Sequence, residues 1–457
     1  MPAPLAPAGI SSAARARRRF GVAIGRQGFW LLIFGLVWLI PAFVDRRFVV
    51  AMFAWDAVVL AAWAIDLSRL PPPGALAVQR TWLDPAALSV ESRVRLTVSN
   101  RSARPLRIRM LDAVPARLRA TPPDLALSVP GHGDVDAEYA IHPAARGATP
   151  VGEAYLRYQS PLRLAERWAS ADLSQTIVAY PNLEEAKRHS VFLIRSRQIE
   201  QEKRLARVRG MGRAFESLRE YRDGDEVRHI CWTASARRGK LVTRLYEIER
   251  SQTVWTLIDC GRLMRARVAG LSKLDYAVNA ALSLAQVAIN SGDRVGVLAY
   301  GRRTSAPLAA GRGAAHLKQI VDHLALVQED EWEADHLQAA GRLLTDQKRR
   351  SLVVWITDLA ETAMTPEVVR AASALMARHV VVFLVIGEPD VQTVARRMPR
   401  SVEQMYESAA AQEMLQRRER LLARLREGGA IALETTAASL SLTVVNSYLE
   451  VKQRNRL

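Results

Sequence analysis

Two apolar runs stand near the start of the chain: Gly28–Val44, which carries no charge, and Phe48–Ile65, whose one acid is Asp56. Each approaches the ~20 apolar residues a helix needs to cross a bilayer. Only Asp45, Arg46 and Arg47 separate them, so the pattern predicts a two-helix transmembrane hairpin over residues 28–67. Pro71, Pro72, Pro73 and Gly74 follow as a stiff linker. Between residues 77 and 180 hydrophobic and polar positions alternate in short runs, among them Arg93–Val98, Leu106–Leu111, Val135–Ile141 and Val151–Tyr158. Period two with turn residues between the runs predicts an antiparallel, β-sandwich-like domain. From residue 251 to 457 the pattern changes again. Thr253–Asp259, Arg294–Tyr300, Leu352–Asp358 and His379–Ile386 are continuous apolar runs, with helical periodicity at Lys273–Asn290, Ala314–Leu326, Asp335–Thr345 and Pro366–Arg378. Strands apolar on both sides belong to a parallel sheet covered by helices on both faces, which predicts a doubly wound α/β domain. Glu403–Glu427 reads as a long charged helix stopped at Gly428-Gly429, its charges forming a solvated face by default and a docking surface otherwise. A strand near Ile431 and a helix over Leu440–Val451 close the chain.

Charge sets the orientation. Residues 1–27 are a basic arm whose Arg15, Arg17, Arg18, Arg19 and Arg26 precede the first apolar run. No small-residue cleavage site follows that run, which argues against a signal peptide. The positive-inside rule places the arm in the cytosol, and two crossings return the soluble domains there. Asp56 is costly in a span; with no second ionisable group at its depth, the simple account is a protonated or locally hydrogen-bonded carboxyl rather than a proton or partner site. Cys231 and Cys260 are the two cysteines, too few for a disulfide framework or a Cys/His metal site and consistent with a reducing compartment. The net charge of +18 suits contact with anionic lipid as well as nucleic acid. Its arginines are scattered and lack the interleaved aromatics of a single-strand platform, so no specific nucleic-acid partner is expected.

Residues 181–250 hold an unusual stretch. Phe215-Glu216-Ser217-Leu218-Arg219-Glu220-Tyr221 leads into Arg222-Asp223-Gly224-Asp225, then through Arg228 to Cys231-Trp232 and Ser235-Ala236-Arg237. Asp223-Gly224 is a turn dipeptide with both signs of charge crowded around it, so the segment predicts an ion-paired hairpin or packed linker. It closely resembles the signature of the domain of unknown function 58 family, and the likeness extends to Tyr448-Leu449-Glu450-Val451-Lys452. That resemblance implies a bacterial protein with a von Willebrand factor A-like domain, placed at the cytoplasmic (inner) membrane as a multi-pass chain. It also implies a MoxR-type AAA+ ATPase as partner, beside the lipid bilayer and other membrane proteins. Arg219, Asp225, Arg228, Trp232 and Arg237 are the partner-binding candidates of the signature, with Arg262 a further one.

Domains of that type often hold a divalent cation on an Asp-x-Ser-x-Ser motif, a later Thr and a later Asp. The corresponding residues are Asp259-Cys260-Gly261-Arg262-Leu263, Asp335 in Glu333-Ala334-Asp335-His336, and Asp358. Both serine positions are lost to Gly261 and Leu263. A degenerate metal-ion-dependent adhesion site is therefore expected. Either it holds Mg²⁺ weakly through water on Asp259, Asp358 and Asp335, or Arg262 neutralises the carboxylates in a metal-free pseudo-site, the favoured account given Mg²⁺'s demand for near-ideal geometry. No confident cofactor follows, and no nucleophile–base pair or phosphate loop marks an enzyme. The reading is a non-catalytic, membrane-anchored scaffold or adaptor in assembly or envelope stress, with a cryptic hydrolase or a nucleic-acid or anionic-lipid binder as the alternatives.

Overall fold

In the computed structural model the described residues are 11–160, 162–182, 214–221, 227, 230–247, 252–302, 307–359 and 365–454. The chain divides into two compact units, Met1–Asn182 and Leu183–Leu457.

The first unit is built from strands β1 Ser11–Arg15, β2 Arg17–Ile24, β3 Leu76–Trp82, β4 Ser92–Asn100, β5 Leu106–Asp112, β6 Asp124–Val129, β7 Gly133–Ile141, β8 Gly147–Val151, β9 Ala154–Gln159, β10 Ala165–Ala171 and β11 Gln175–Ala179. One sheet runs β1-β3-β4-β7 and another β2-β10-β9-β5-β6, with β8 and β11 as a separate pair; the pairings are antiparallel. Alternation does the sorting. In β5, Leu106, Ile108 and Met110 are buried while Arg107, Arg109 and Leu111 stay outside. Val94, Leu96 and Val98 of the first sheet share a core with Ile108, Met110, Leu156 and Tyr158 of the second.

Two expectations need correction. Residues 11–24, read above as part of a basic arm, are strands: Ser11–Arg15 pairs with Ala77–Thr81, and β2 pairs with β10. Three consecutive arginines, Arg17 to Arg19, hide the period of two there. The run Val151–Tyr158 is likewise not one strand, because Gly152-Glu153 separates the end of β8 from β9.

The apolar segment leaves β2 at Gly25. It forms a helix over Arg26–Gly35, a 3₁₀ turn over Leu36–Trp38, a short helix over Leu39–Ala42 and a helix over Arg47–Ser68. The stretch Arg47–Ala75 is long and apolar enough to cross a membrane, with mean hydropathy 2.1, while Arg26–Ala42 is apolar but shorter. Asp56 lies at the contact between them. A Cβ on Gly35 would come within 2.6 Å of Asp56 Oδ1, so glycine permits the close approach. Asp66, further along the helix, is fully buried and accepts hydrogen bonds from Ser160 Oγ and, at 3.2 Å, Leu164 N.

In the second unit β12 Ala214–Glu220 and β13 Val242–Glu247 form an antiparallel pair, with a short helix Trp232–Arg238 between them in sequence. The main sheet comprises β14 Thr253–Asp259, β17 Arg294–Tyr300, β18 Leu308–Gly311, β19 Leu352–Thr357, β20 Val380–Gly387 and β21 Ile431–Thr436; the two-residue strands β15 Arg267–Val268 and β16 Leu271–Ser272 pair with each other before the first helix. Its order is β18-β17-β14-β19-β20-β21, parallel except for the edge strand β18. Numbered within the sheet that is 3-2-1-4-5-6, the doubly wound order whose crevice lies beyond the C-terminal ends of its first and fourth strands. Trp255, Leu257, Trp355 and Phe383 pack on one face with residues of the helices His336–Asp346, Thr365–Met376 and Val402–Glu427. Val254, Ile258, Val354 and Leu384 are the alternate, equally buried set. Gly296 is required opposite Trp255, since its Cβ would sit 2.8 Å from the indole. The helix Lys273–Asn290 follows β14, and the final helix Leu440–Gln453 packs on it. Tyr448 Oη donates to buried Asp293 at 2.5 Å and Lys452 pairs with the same carboxylate at 2.6 Å, so the closing Tyr448–Lys452 motif locks onto the turn ahead of β17.

Candidate functional site at the strand ends

Asp259 ends β14 and Asp358 follows β19, and pairing of those two strands brings them together. Asp259 is buried, accepting Thr357 Oγ1–H at 2.5 Å and Gly261 N–H at 2.7 Å. Burial, opposed by those two donors and reinforced by the Asp358 charge, pushes its carboxyl up to about 6. Asp358 is neutralised from two sides. Lys273, fully buried, places its ammonium 2.5 Å from Asp358 Oδ2 and also pairs with Glu388. Arg418 reaches Asp358 Oδ1 at 3.4 Å and Glu434 at 2.9 Å. The site is therefore an ion cluster drawn from the helix Lys273–Asn290, strands β14, β19 and β21, the residue after β20 and the long helix Val402–Glu427.

The expected residues fall out differently. Arg262 does not turn inward: it pairs with Glu333 at 3.0 Å on the exposed rim, and the neutralising cations are Lys273 and Arg418. A guanidinium on the exposed rim keeps its hydration, whereas a buried carboxylate demands a buried cation. Asp335 is no third carboxylate of the cluster. It caps the helix His336–Asp346, accepting Gln338 N–H at 2.8 Å, which satisfies a helix-terminal donor. Gly261 is where the loop before that helix comes closest, since its Cβ would lie 2.7 Å from Ala334 N and 3.1 Å from Asp259 Oδ1. A serine at 261 has no room. A small recess of about 20 Å³, lined by Asp259, Gly261, Glu333, His336 and Asp358 among others, has space for about one water. Among the described residues no group of three or more His, Cys, Asp or Glu is arranged to hold a metal ion.

Behind the cluster, Trp355 Nε1–H donates to Tyr300 Oη, which lies 3.1 Å from His336 Nδ1. Burial lowers His336 to about 4 and raises Tyr300 well above its usual value. Of the signature candidates, Arg219 lies in β12 opposite Thr243, Trp232 opens the short helix with its ring exposed, and Arg237 is exposed in that helix's last turn. Asp225 and Arg228 lie outside the described residues.

Sequence reasoning missed Lys273, Arg418, Glu388 and Glu434. Two signals were present. Lys273 is the first residue of a helix, where the macrodipole disfavours a cation, and it lies inside the Ser272–Asp275 capping box. Arg418 falls on the stripe that buries Ala411, Leu422 and Leu425, so among the arginines of that helix its position was the apolar one.

Residues 217–404 match the family described as protein of unknown function DUF58, so the resemblance read from the signature is shown over that stretch. Uncharacterized proteins of Mycobacterium bovis and Mycobacterium tuberculosis are 25% identical over 187 residues, a match covering 40% of this chain and 58% of theirs. Among solved structures, the conserved hypothetical protein BatB from Bacteroides thetaiotaomicron aligns at TM-score 0.29 and 14% identity over 44% of this chain and 99% of its own. The vWF domain of the type V pili tip protein Mfa5 from Porphyromonas gingivalis aligns at 0.27 and 9%, over 44% and 95%. An uncharacterized membrane spanning protein from Vibrio fischeri aligns at 0.17 and 12%, over 44% and 98%.

Proposed function

We propose that the chain is a non-catalytic adaptor, anchored in the cytoplasmic membrane by a helical hairpin, that presents the strand-end surface of a von Willebrand factor A-like domain to a MoxR-type AAA+ ATPase in the cytosol. The observation that carries the site half of this reading is Lys273. Its ammonium pairs with Asp358 and Glu388, so the strand-end carboxylates carry a counter-ion from the chain itself, which supports a reading in which no metal is needed. The hairpin half draws support from strand pairing. β1 and β2 precede the apolar segment and pair with β3 and β10, which follow it. Strands on either side of a membrane cannot pair, so an anchor built this way crosses twice and returns; the β-sandwich then acts as a spacer at the membrane surface.

The test is capture of the purified ATPase encoded in the same genome by the full chain in nanodiscs. Arg262→Ala, on the exposed rim, should weaken capture, and truncating an anchoring arginine commonly costs roughly thirtyfold. Equal capture by Arg262→Ala and by an Asp259→Ala, Asp358→Ala double variant would remove the strand-end surface from consideration.

A further inference from the structure

The outer face of the β2-β10-β9-β5-β6 sheet carries a recess of about 580 Å³ lined by Arg26, Arg107, Arg109, Arg157, Ser128 and Gln159. Four guanidiniums in one recess is an unusual concentration. Arg109 is offset by Asp124 and Arg157 by Glu166, at 2.5 and 2.7 Å. Arg26 and Arg107 have no carboxylate partner among the described residues, which leaves the recess a surplus of positive charge. Its volume falls within the range of small-ligand pockets. Position narrows the ligand. Arg26 is the first residue of the apolar helix that leaves β2, and a basic residue there sits at the level of lipid headgroups. Trp168, an aromatic of the kind that favours that depth, lies under the Arg157 guanidinium, 5.5 Å from ring centroid to cation.

We infer that this recess binds the phosphate of an anionic phospholipid headgroup, with Arg26 and Arg107 as its charge-bearing ligands and Ser128 as a neutral donor, while Gln159 Nε2 is held by Glu166 at 2.6 Å. Guanidinium suits the task because its planar fork matches phosphate oxygens two at a time. Alternation supplies the arrangement: Arg107 and Arg109 are the outward residues of β5, and Arg157 and Gln159 share a face of the adjoining β9. The inference rests on the membrane-anchor reading, and a free phosphate ion offers the same chemistry, so the experiment separates all three.

The full chain is reconstituted in nanodiscs of phosphatidylcholine with phosphatidylglycerol, released into mild detergent, and its retained lipid read by native mass spectrometry. Retained phosphatidylglycerol is expected in preference to phosphatidylcholine. Arg107→Glu reverses one charge and should lower retention roughly thirtyfold. Arg107→Gln serves if the reversal impairs folding, and Arg349→Glu, the same charge change in the other unit, should retain lipid normally. Inorganic phosphate at millimolar concentration should not displace the lipid; full displacement would make the recess an ion site and overturn the lipid assignment. Ordinary flotation of the chain with vesicles, but equal lipid retention by Arg107→Glu and the unaltered chain, would overturn the recess alone. Failure to float at all would overturn the anchor and the recess together.

Discussion

The two units each bury an arginine or lysine beside an aspartate, and they do it in opposite ways. In the first unit Arg80 is entirely enclosed. Its guanidinium pairs with Asp112 and donates to Leu173 O at 2.9 Å and Gly152 O at 3.0 Å, while Tyr139 Oη donates to the same Asp112 at 2.7 Å. One cation meets one anion, in the middle of a core. In the second unit the cluster sits at the open end of a sheet, where Lys273 and Arg418 face Asp358, Glu388, Glu434 and the nearby Asp259. Anions are in excess, and one of them, Asp259, is poised to hold a proton. The first arrangement fixes a core; the second leaves a crevice whose charge state can change.

Breaking the closed pair should have the largest effect. Arg80→Met strands Asp112 in an apolar core, which costs about 3–5 kcal/mol. Lys273→Ala should cost less, about 2 kcal/mol, because Arg418 still faces Asp358 and Glu388 is half-exposed.

The pH response sharpens the comparison further. Asp259, raised to about 6, stays protonated in the folded chain above the pH at which the unfolded chain releases its proton. Its contribution is therefore present below about pH 4 and lost as pH climbs to about 6, on the order of 3 kcal/mol at most. His336, lowered to about 4, works in reverse, losing stability as pH falls from about 6.5 to 4. The two oppose each other over the same window. Relative to the unaltered chain, Asp259→Asn should gain melting temperature as pH rises from 4 to 6.5, and His336→Gln should gain as it falls. Parallel curves for both variants would show that neither residue titrates as its burial implies.

Divalent cation should do still less to the unaltered chain. With Lys273 seated against Asp358, and with Gly261 unable to give way to a serine, Mg²⁺ should move the melting temperature by about a degree or less, since a ligand stabilises only as far as it binds the folded form. A shift of several degrees that disappears in Asp259→Ala would show that Lys273 can be displaced.

How much of this was legible beforehand depends on whether a residue acts through a period or through a partner. The sheet strands β14, β17, β19 and β20 are continuous apolar runs, and their helices carry caps and stripes, so these elements could be read to within about two residues, whereas the short edge strand β18 and the helix Pro389–Arg396 were not read at all. β1 and β2 could not: the Ser-Ser-Ala-Ala-Arg run of β1 has no hydrophobic period, and the alternation of Phe20, Val22 and Ile24 in β2 is short and follows three arginines. The two strand-end aspartates were visible from the family resemblance, yet their counter-ions lie 85 and 60 residues from Asp358 in sequence. Nothing local announces such a pairing except a lysine at an unfavourable helix position and an arginine in an apolar stripe.

The smallest expected effect on stability belongs to Arg262. Its partner Glu333 and the guanidinium itself are both more than a third exposed, so water screens the pair. Exposed pairs of this sort contribute about 0–1 kcal/mol, and Arg262→Ala should leave the melting temperature within experimental scatter. That insensitivity is what makes the residue informative. It lines the same recess as Asp259 and Asp358, and its N–H donates to the backbone carbonyl of Trp332 at 2.9 Å, a residue whose exposed ring lies 4.7 Å from the Arg302 guanidinium. Exposed arginine and tryptophan together are enriched where interfaces concentrate their affinity. A variant that melts like the parent yet captures the ATPase far more weakly would separate recognition from folding at this rim. Should Arg262→Ala melt several degrees lower instead, the pair with Glu333 holds the loop before His336 in place, and the rim is framework rather than contact surface.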